Sequence, residues 1–183
     1  VTHLIRIVLL LALTAAAHAA SKPSFPAVVE AHGARMTLRG EALLRVGYVF
    51  RVYWAALHVG EGVPTEAVLN DVPKRLEIVY LRNISAADLI KAGDGMLRRH
   101  LKPAELAAIQ SRVDDINRLY RNVRAGDRYT LTYVPGVGSE LAFNDEPLGV
   151  IPGADFAGAY FGIWLDPRTD YKDFHAALLG RRR

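Results

Sequence analysis

Residues 43–59, LLRVGYVFRVYWAALHV, are almost wholly apolar, rich in β-branched and aromatic residues and free of proline, so they read as one long strand. Side chains alternate between the two faces of a strand. One face would carry Leu44, Val46, Tyr48, Phe50, Val52, Trp54, Ala56 and His58, and it is the face expected in the core. The other carries Arg45, Gly47, Val49, Arg51, Tyr53, Ala55, Leu57 and Val59, with its cations and phenol at the near end. An unpaired guanidinium is not buried without a partner. Arg45 and Arg51 therefore either pair with Glu41, Glu77 or Glu140 on a solvated sheet face or line a cavity that receives an anion, and the residues alone leave both open. Regular geometry places Arg51 beside Tyr53, whereas Arg45 and Tyr53 lie roughly 26 Å apart along a flat strand. Only a bulge or bend would bring that second pair together, and Gly47 is the place for one.

Outward from this stretch the chain alternates between strand and helix in separate runs. Upstream, SKPSFPAVVEAHG is an extended entry followed by a turn, and ARMTLRG has the alternation of a half-buried strand that Gly40 ends. Downstream, a short helix from Thr65 precedes the strand KRLEIVYLR, with Leu76, Ile78 and Tyr80 on one side. Ser85 then caps a helix, with Asp88 three residues on and Gly93 and Gly95 weakening its interior. Pro103 opens a second helix in which Leu106, Ile109, Val113, Ile116 and Leu119 recur at spacings of three and four. GDRYTLTYVPGVGSELAFND is a hairpin, and Asn144-Asp145 turns into EPLGVIPG. Two further helices are expected, one capped by Asp155 and one capped by Thr169 or Asp170 and stopped by Gly180. Helices and antiparallel strands in separate runs predict an α+β architecture rather than a parallel βαβ fold.

The chain has 183 residues, 51% hydrophobic and 23% charged, enough for one sizeable core. Residues 1–20 join a basic start at Arg6, an apolar run and the small-residue pattern Ala17-His18-Ala19, so they are expected to be a cleaved signal peptide ahead of a single domain, 21–183. The initial Val fits a bacterial alternative start codon, and the expected compartment is the periplasm. The apolar run is shorter than the roughly 20 residues that span a bilayer, so no stable membrane insertion is expected after cleavage. Cysteine is absent, which removes disulfides and thiol chemistry.

The net charge is only +4, and the basic clusters at Arg98-Arg99-His100 and Arg181-Arg182-Arg183 suit a solvated face and tail better than a nucleic-acid footprint. Beyond the leader the histidines are His32, His58, His100 and His175, none at a metal-binding helical spacing, and no calcium-loop pattern occurs. No metal and no cofactor is expected. GVGSE is a hairpin turn rather than a nucleophile elbow, and no phosphate-cradling glycine loop precedes a helix.

Several segments in order, RVYWAAL at 51–57, GDRYTLTYVPGVG at 126–138, IWLDPRTD at 163–170 and a terminal LLG, resemble the chalcone isomerase-like family in its bacterial exported branch. The resemblance implies an open-faced β-sandwich, a large antiparallel sheet with helices packed on one face and a cleft between them. In the enzymes of that family an arginine, a threonine, a tyrosine and an asparagine surround the cleft. Here the arginine position falls on Arg45 or on Arg35, and the threonine position on Tyr53. Leu89 and the Gly95-Met96 region stand where the tyrosine and asparagine would be, and Thr169 matches a further cleft residue. With most of that polar set absent, the chain is similar to the non-catalytic members that bind fatty acids, in which an arginine and a tyrosine hold the carboxylate.

The expected function is therefore an exported, cofactor-free protein that binds an amphipathic or acidic small molecule, such as a fatty acid or aromatic acid, with no catalytic residue. Arg45, Tyr53, Arg51, Arg35 and Thr169 are its candidate ligand-binding residues. A chalcone isomerase-type intramolecular lyase is the enzyme alternative. An envelope protein-interaction module, with its partner unknown, is the third.

Overall fold

Residues 43–59 do not form one strand but fold back on themselves. In the structure, a computed structural model that describes residues 22–47 and 49–181, β2 (Ala34–Val46) and β3 (Phe50–Gly60) are the arms of a hairpin. Gly47 takes a left-handed φ of 62° at the reversal, a conformation open to glycine without a Cβ clash. An apolar run without proline hides the turn, because the tip residues are as β-prone as the arms. Leu44 stands opposite Tyr53 and Arg45 opposite Arg51, with an irregularity in register between the two pairs. The bend at Gly47 thus brings Arg45 and Tyr53 to neighbouring positions on adjacent strands.

Gly40 does not end the preceding strand either, since β2 runs through it. A Cβ there would lie 2.6 Å from Leu178 O and 2.7 Å from Gly180 N, so this glycine admits the C-terminal end of the last helix against the sheet. Glycine marks a close approach at that position rather than a turn.

The sheet has seven antiparallel strands in sequential order, adding β1 (Val28–Ala31), β4 (Lys74–Tyr80), β5 (Arg128–Val134), β6 (Gly138–Phe143) and β7 (Glu146–Ile151). Between β4 and β5 the chain leaves the sheet for α1 (Ala86–His100) and α2 (Pro103–Asn117), and after β7 it forms α3 (Ala154–Leu165) and α4 (Lys172–Leu178). This is the expected α+β open-faced arrangement. The main core lies between sheet and helices, where Ala55, Leu57, Val59, Leu76, Ile78 and Leu131 meet Phe156, Phe161, Leu165 and Leu178. The core face of β3 is thus the Tyr53–Val59 face, the reverse of the assignment made from its cations. Trp54, Ala56 and His58 point to the other face, where Phe25 of the entry segment covers Ala56 and Val79. A central strand buried on both faces reads as a continuous apolar run, and alternation then cannot tell which face is inner.

The helix starts follow local chemistry. The Ser85 hydroxyl accepts the Asp88 N–H at 3.1 Å and donates to its carboxylate at 2.6 Å. The Glu105 carboxylate accepts the Lys102 N–H at 2.8 Å, with Pro103 at the first helical position. Asp155 is not the cap of α3. Gly153 occupies that place at φ 105°, and Asp155 instead receives both ends of the Arg112 guanidinium at 2.7 and 2.6 Å. Helix α4 starts one or two residues later than expected, after Tyr171, and its end at Gly180, φ 73°, is as expected. The turn expected as a helix from Thr65 is a single 3-10 turn, Thr65–Ala67. The leader expected at 1–20 and the last two arginines lie outside the described residues.

Candidate functional site: a phenol-lined cavity under α1

Helix α1 buries only Leu97 and His100 and packs chiefly on α3. Its N-terminal two-thirds bridges space rather than resting on the sheet. The space beneath is a cavity of about 360 Å³, open at one side. Leu44 of β2, Tyr53 of β3, and Ile78 and Tyr80 of β4 form its floor, Tyr160, Ile163 and Trp164 of α3 one wall, and Tyr120, after α2, another. Leu89, Gly93 and Met96 of α1, spaced by four and three, present one helical face as its roof. Phe174 of α4 and Thr169 and Tyr171 of the α3–α4 link line a further side.

The polar groups inside are mostly phenols. The Trp164 indole N–H donates to the Tyr53 hydroxyl at 3.1 Å, and the Tyr120 and Tyr160 hydroxyls share a hydrogen bond of 2.9 Å. The Tyr80 hydroxyl has no hydrogen-bond partner among the described residues, although its ring packs edge-on against Tyr53 at 5.7 Å and Tyr129 at 6.2 Å. Burial pushes the Tyr53, Tyr80 and Tyr160 hydroxyls far above the usual phenol range, and Tyr120 up to about 12. All four are therefore neutral donors at neutral pH. The Asp94 carboxylate accepts from Asn117 Nδ2 at 3.2 Å, and Asp88 sits at the start of α1. Arg99 is the one Lys or Arg among the lining residues, at the rim, where it pairs with Asp170 of the α3–α4 link.

Of the candidates named from the sequence, Tyr53 and Thr169 line this cavity, and the Thr169 hydroxyl also accepts the Tyr171 N–H at 3.2 Å. Arg45 does not. It is exposed in a shallow groove with Asp170, Lys172 and Asp173, separated from the cavity by Leu44, Tyr171 and Phe174, which border both spaces. Arg51, opposite Arg45, does not line the cavity either. Arg35 lies at the other end of β2, 3.4 Å from Glu30 on β1. The carboxylates offered as partners for the arginines are engaged elsewhere: Glu77 faces Arg75 and Arg128, Glu41 pairs with Lys22, and Glu140 lies 3.2 Å from His32. Leu89 and Met96, singled out as apolar replacements, do line the cavity.

Sequence reasoning passed over Tyr80, Tyr120, Tyr160, Trp164 and Asn117. Tyr160 and Trp164 are four apart on a helix apolar but for Asp155, a spacing that reads as core, so no signal distinguished them. No group of three histidine, aspartate or glutamate side chains that could hold a metal occurs among the described residues.

An antiparallel sheet thus carries helices on one face, with a mostly apolar cavity and a few convergent polar groups between them. The chain belongs to the chalcone isomerase-like family, which it matches over residues 17–180. Among solved structures it is similar to a fatty-acid binding protein of Arabidopsis thaliana, with a TM-score of 0.63 and 10% sequence identity over 85% of this chain and 91% of that one. At that identity the likeness is one of fold. No curated protein matches the chain by sequence at a significant level.

Proposed function

We propose that this is an exported, non-catalytic binding protein that holds one amphipathic small molecule, an acyl chain or a small aromatic, in the cavity under α1. The observation that carries this is a largely apolar space, open at one side, whose inner polar groups are mostly phenols held protonated. The phenols donate hydrogen bonds but offer no base near neutral pH, and the two lining carboxylates are engaged, Asp94 by Asn117 and Asp88 by Ser85. At about 30 Å³ per heavy atom, the size of one water in the liquid, the cavity suits a ligand of about a dozen heavy atoms. The apolar body would pack between Ile78, Leu89, Met96 and Ile163, with the polar end at the Tyr80 hydroxyl. The fatty-acid binding structural neighbour is consistent with this class of ligand. Export rests on the leader pattern of residues 1–20.

The test is displacement of an uncharged fluorescent naphthylamine from the purified protein by decanol and decanoate. Both should compete, and Leu89→Trp, which fills the roof, should weaken probe binding at least tenfold with an unchanged circular dichroism spectrum. With no cation inside the cavity, decanol should compete better than decanoate at neutral pH. Equal probe binding by wild type and Leu89→Trp would place the ligand elsewhere, and turnover of a chalcone above the buffer rate would overturn the non-catalytic assignment. Mass spectrometry of the periplasmic protein should find an N-terminus at or next to Ser21.

A further inference from the structure

The end of the β2–β3 hairpin carries three exposed apolar side chains, Val46 at 44%, Val49 at 76% and Phe50 at 54% of full exposure. Single exposed apolar residues are ordinary, but half of the large ones on the described surface gather at this one turn. Cations frame them. Arg45 and Arg51 face each other across the hairpin, and the Arg82 guanidinium lies 5.2 Å from the centre of the Phe50 ring. Arg45 and Arg82 are exposed and form no ion pair among the described residues. From residue 44 to residue 54 the sequence contains no acid. The acids that share Arg45's groove are Asp170 and Asp173, alongside Lys172, and Asp170 is already engaged by Arg99.

The same tip is the rim of the cavity, because Val46 and Val52 line it. We propose that the hairpin end docks on an anionic lipid surface, Val49 and Phe50 entering the headgroup region and Arg45 and Arg82 meeting lipid phosphates, so that the cavity exchanges its ligand directly with the bilayer. Apolar side chains flanked by arginines suit a surface that is apolar below and anionic above, since the guanidinium binds phosphate while its stem stays in the apolar layer. Attachment of this kind is peripheral, and none of the helices described is long and apolar enough to cross a membrane. The exchange step rests on the ligand-binding reading of the cavity, whereas docking is measured without it.

The experiment is co-sedimentation of the purified protein with vesicles of phosphatidylcholine alone and with vesicles in which about a third of the lipid is phosphatidylglycerol, the anionic surface to which each arginine adds about fivefold. Wild type should sediment with the anionic vesicles only, and should be released at about 1 M salt, where charge is screened beyond roughly 3 Å. Val49→Asp with Phe50→Asp should lose at least tenfold, and Arg45→Gln with Arg82→Gln about twenty-fivefold, at about fivefold per arginine. Both double variants should bind the naphthylamine probe in solution as wild type does, which shows that they are folded. Failure of wild type to bind anionic vesicles, or equal binding by the Val49–Phe50 variant, overturns the proposal. So does a wild-type dimer that this variant converts to monomer without any vesicle binding, since the tip would then be a contact between copies. Loss of probe binding in wild type with vesicle binding intact would overturn the cavity reading alone.

Discussion

At the level of single residues, the cavity separates hydroxyls that serve the fold from one that is available. Tyr53 is tied to Trp164, and Tyr120 to Tyr160, so each ties the floor or a wall of the cavity to α3. Tyr53→Phe should therefore lower stability by about 1 kcal/mol, the usual net worth of a buried hydrogen bond, as measured by urea unfolding. Tyr80 differs, because its hydroxyl has no partner among the described residues to lose. Tyr80→Phe should leave the stability of the free protein unchanged or slightly higher, yet weaken a ligand carrying a hydroxyl or carbonyl by about fivefold to tenfold, the worth of one hydrogen bond. An equal loss of stability in both variants would show that Tyr80 is structural. Tyr53 was legible in the sequence because it interrupts an apolar run beside arginines. Tyr80 was legible only as one of three residues on the inner face of KRLEIVYLR, since nothing local marks which inner side chains border a void.

At the level of elements, α1 is the least supported part of the helical layer over the cavity. It carries two glycines in its interior and lies over space rather than over the sheet. A Cβ added at Gly95 would meet nothing within 4 Å, and one at Gly93 would meet only Ile163 Cδ1 at an ordinary 3.8 Å. Gly95→Ala should therefore stabilise the protein by about 0.5–1 kcal/mol, the helix-propensity difference, without touching the cavity. Gly40→Ala should do the opposite, because its methyl would press on the backbone carbonyls at the end of α4, and neither backbone can yield cheaply. A fall of about 3 °C or more in melting temperature, roughly 1 kcal/mol in a domain of this size, would check this. The cap at Ser85, the helix start at Pro103 and the hairpin from Arg128 were legible because their signals are local. The β2–β3 turn and the role of Gly40 were not, since one depends on pairing between strands and the other on a helix more than a hundred residues away.

At the level of the whole molecule, the outer face of the sheet is held by a buried polar cluster under the entry segment. His58 is fully buried, and in its Nε2–H tautomer it donates to Pro26 O at 2.8 Å. Its Nδ1 lies 4.0 Å from Glu77, a buried carboxylate that also faces Arg75 at 3.6 Å and Arg128 at 3.4 Å. Burial, more than any neighbour, pushes the His58 imidazole below its usual range, opposed by the Pro26 carbonyl and by Glu77. The unfolded chain then takes up a proton near pH 6.5 that the folded protein refuses until lower pH. Protons bound only by the unfolded state make stability fall as pH falls, so loss should begin below about pH 6.5, at no more than about 1.4 kcal/mol per pH unit from this one group. The carboxylates held low by arginines, Asp155 at about 2 and Asp166 and Glu146 below their usual range, act in a separate window. Their contribution is present above the ordinary carboxylate range and fades only as pH drops from about 4 towards their folded values. Urea unfolding between pH 7.5 and pH 5 should thus show a slope that His58→Gln flattens, whatever that substitution costs at pH 7.5, while the loss below pH 4 stays. If the slope survives in His58→Gln, the proton uptake belongs to another histidine, and the entry segment is not held by a neutral imidazole.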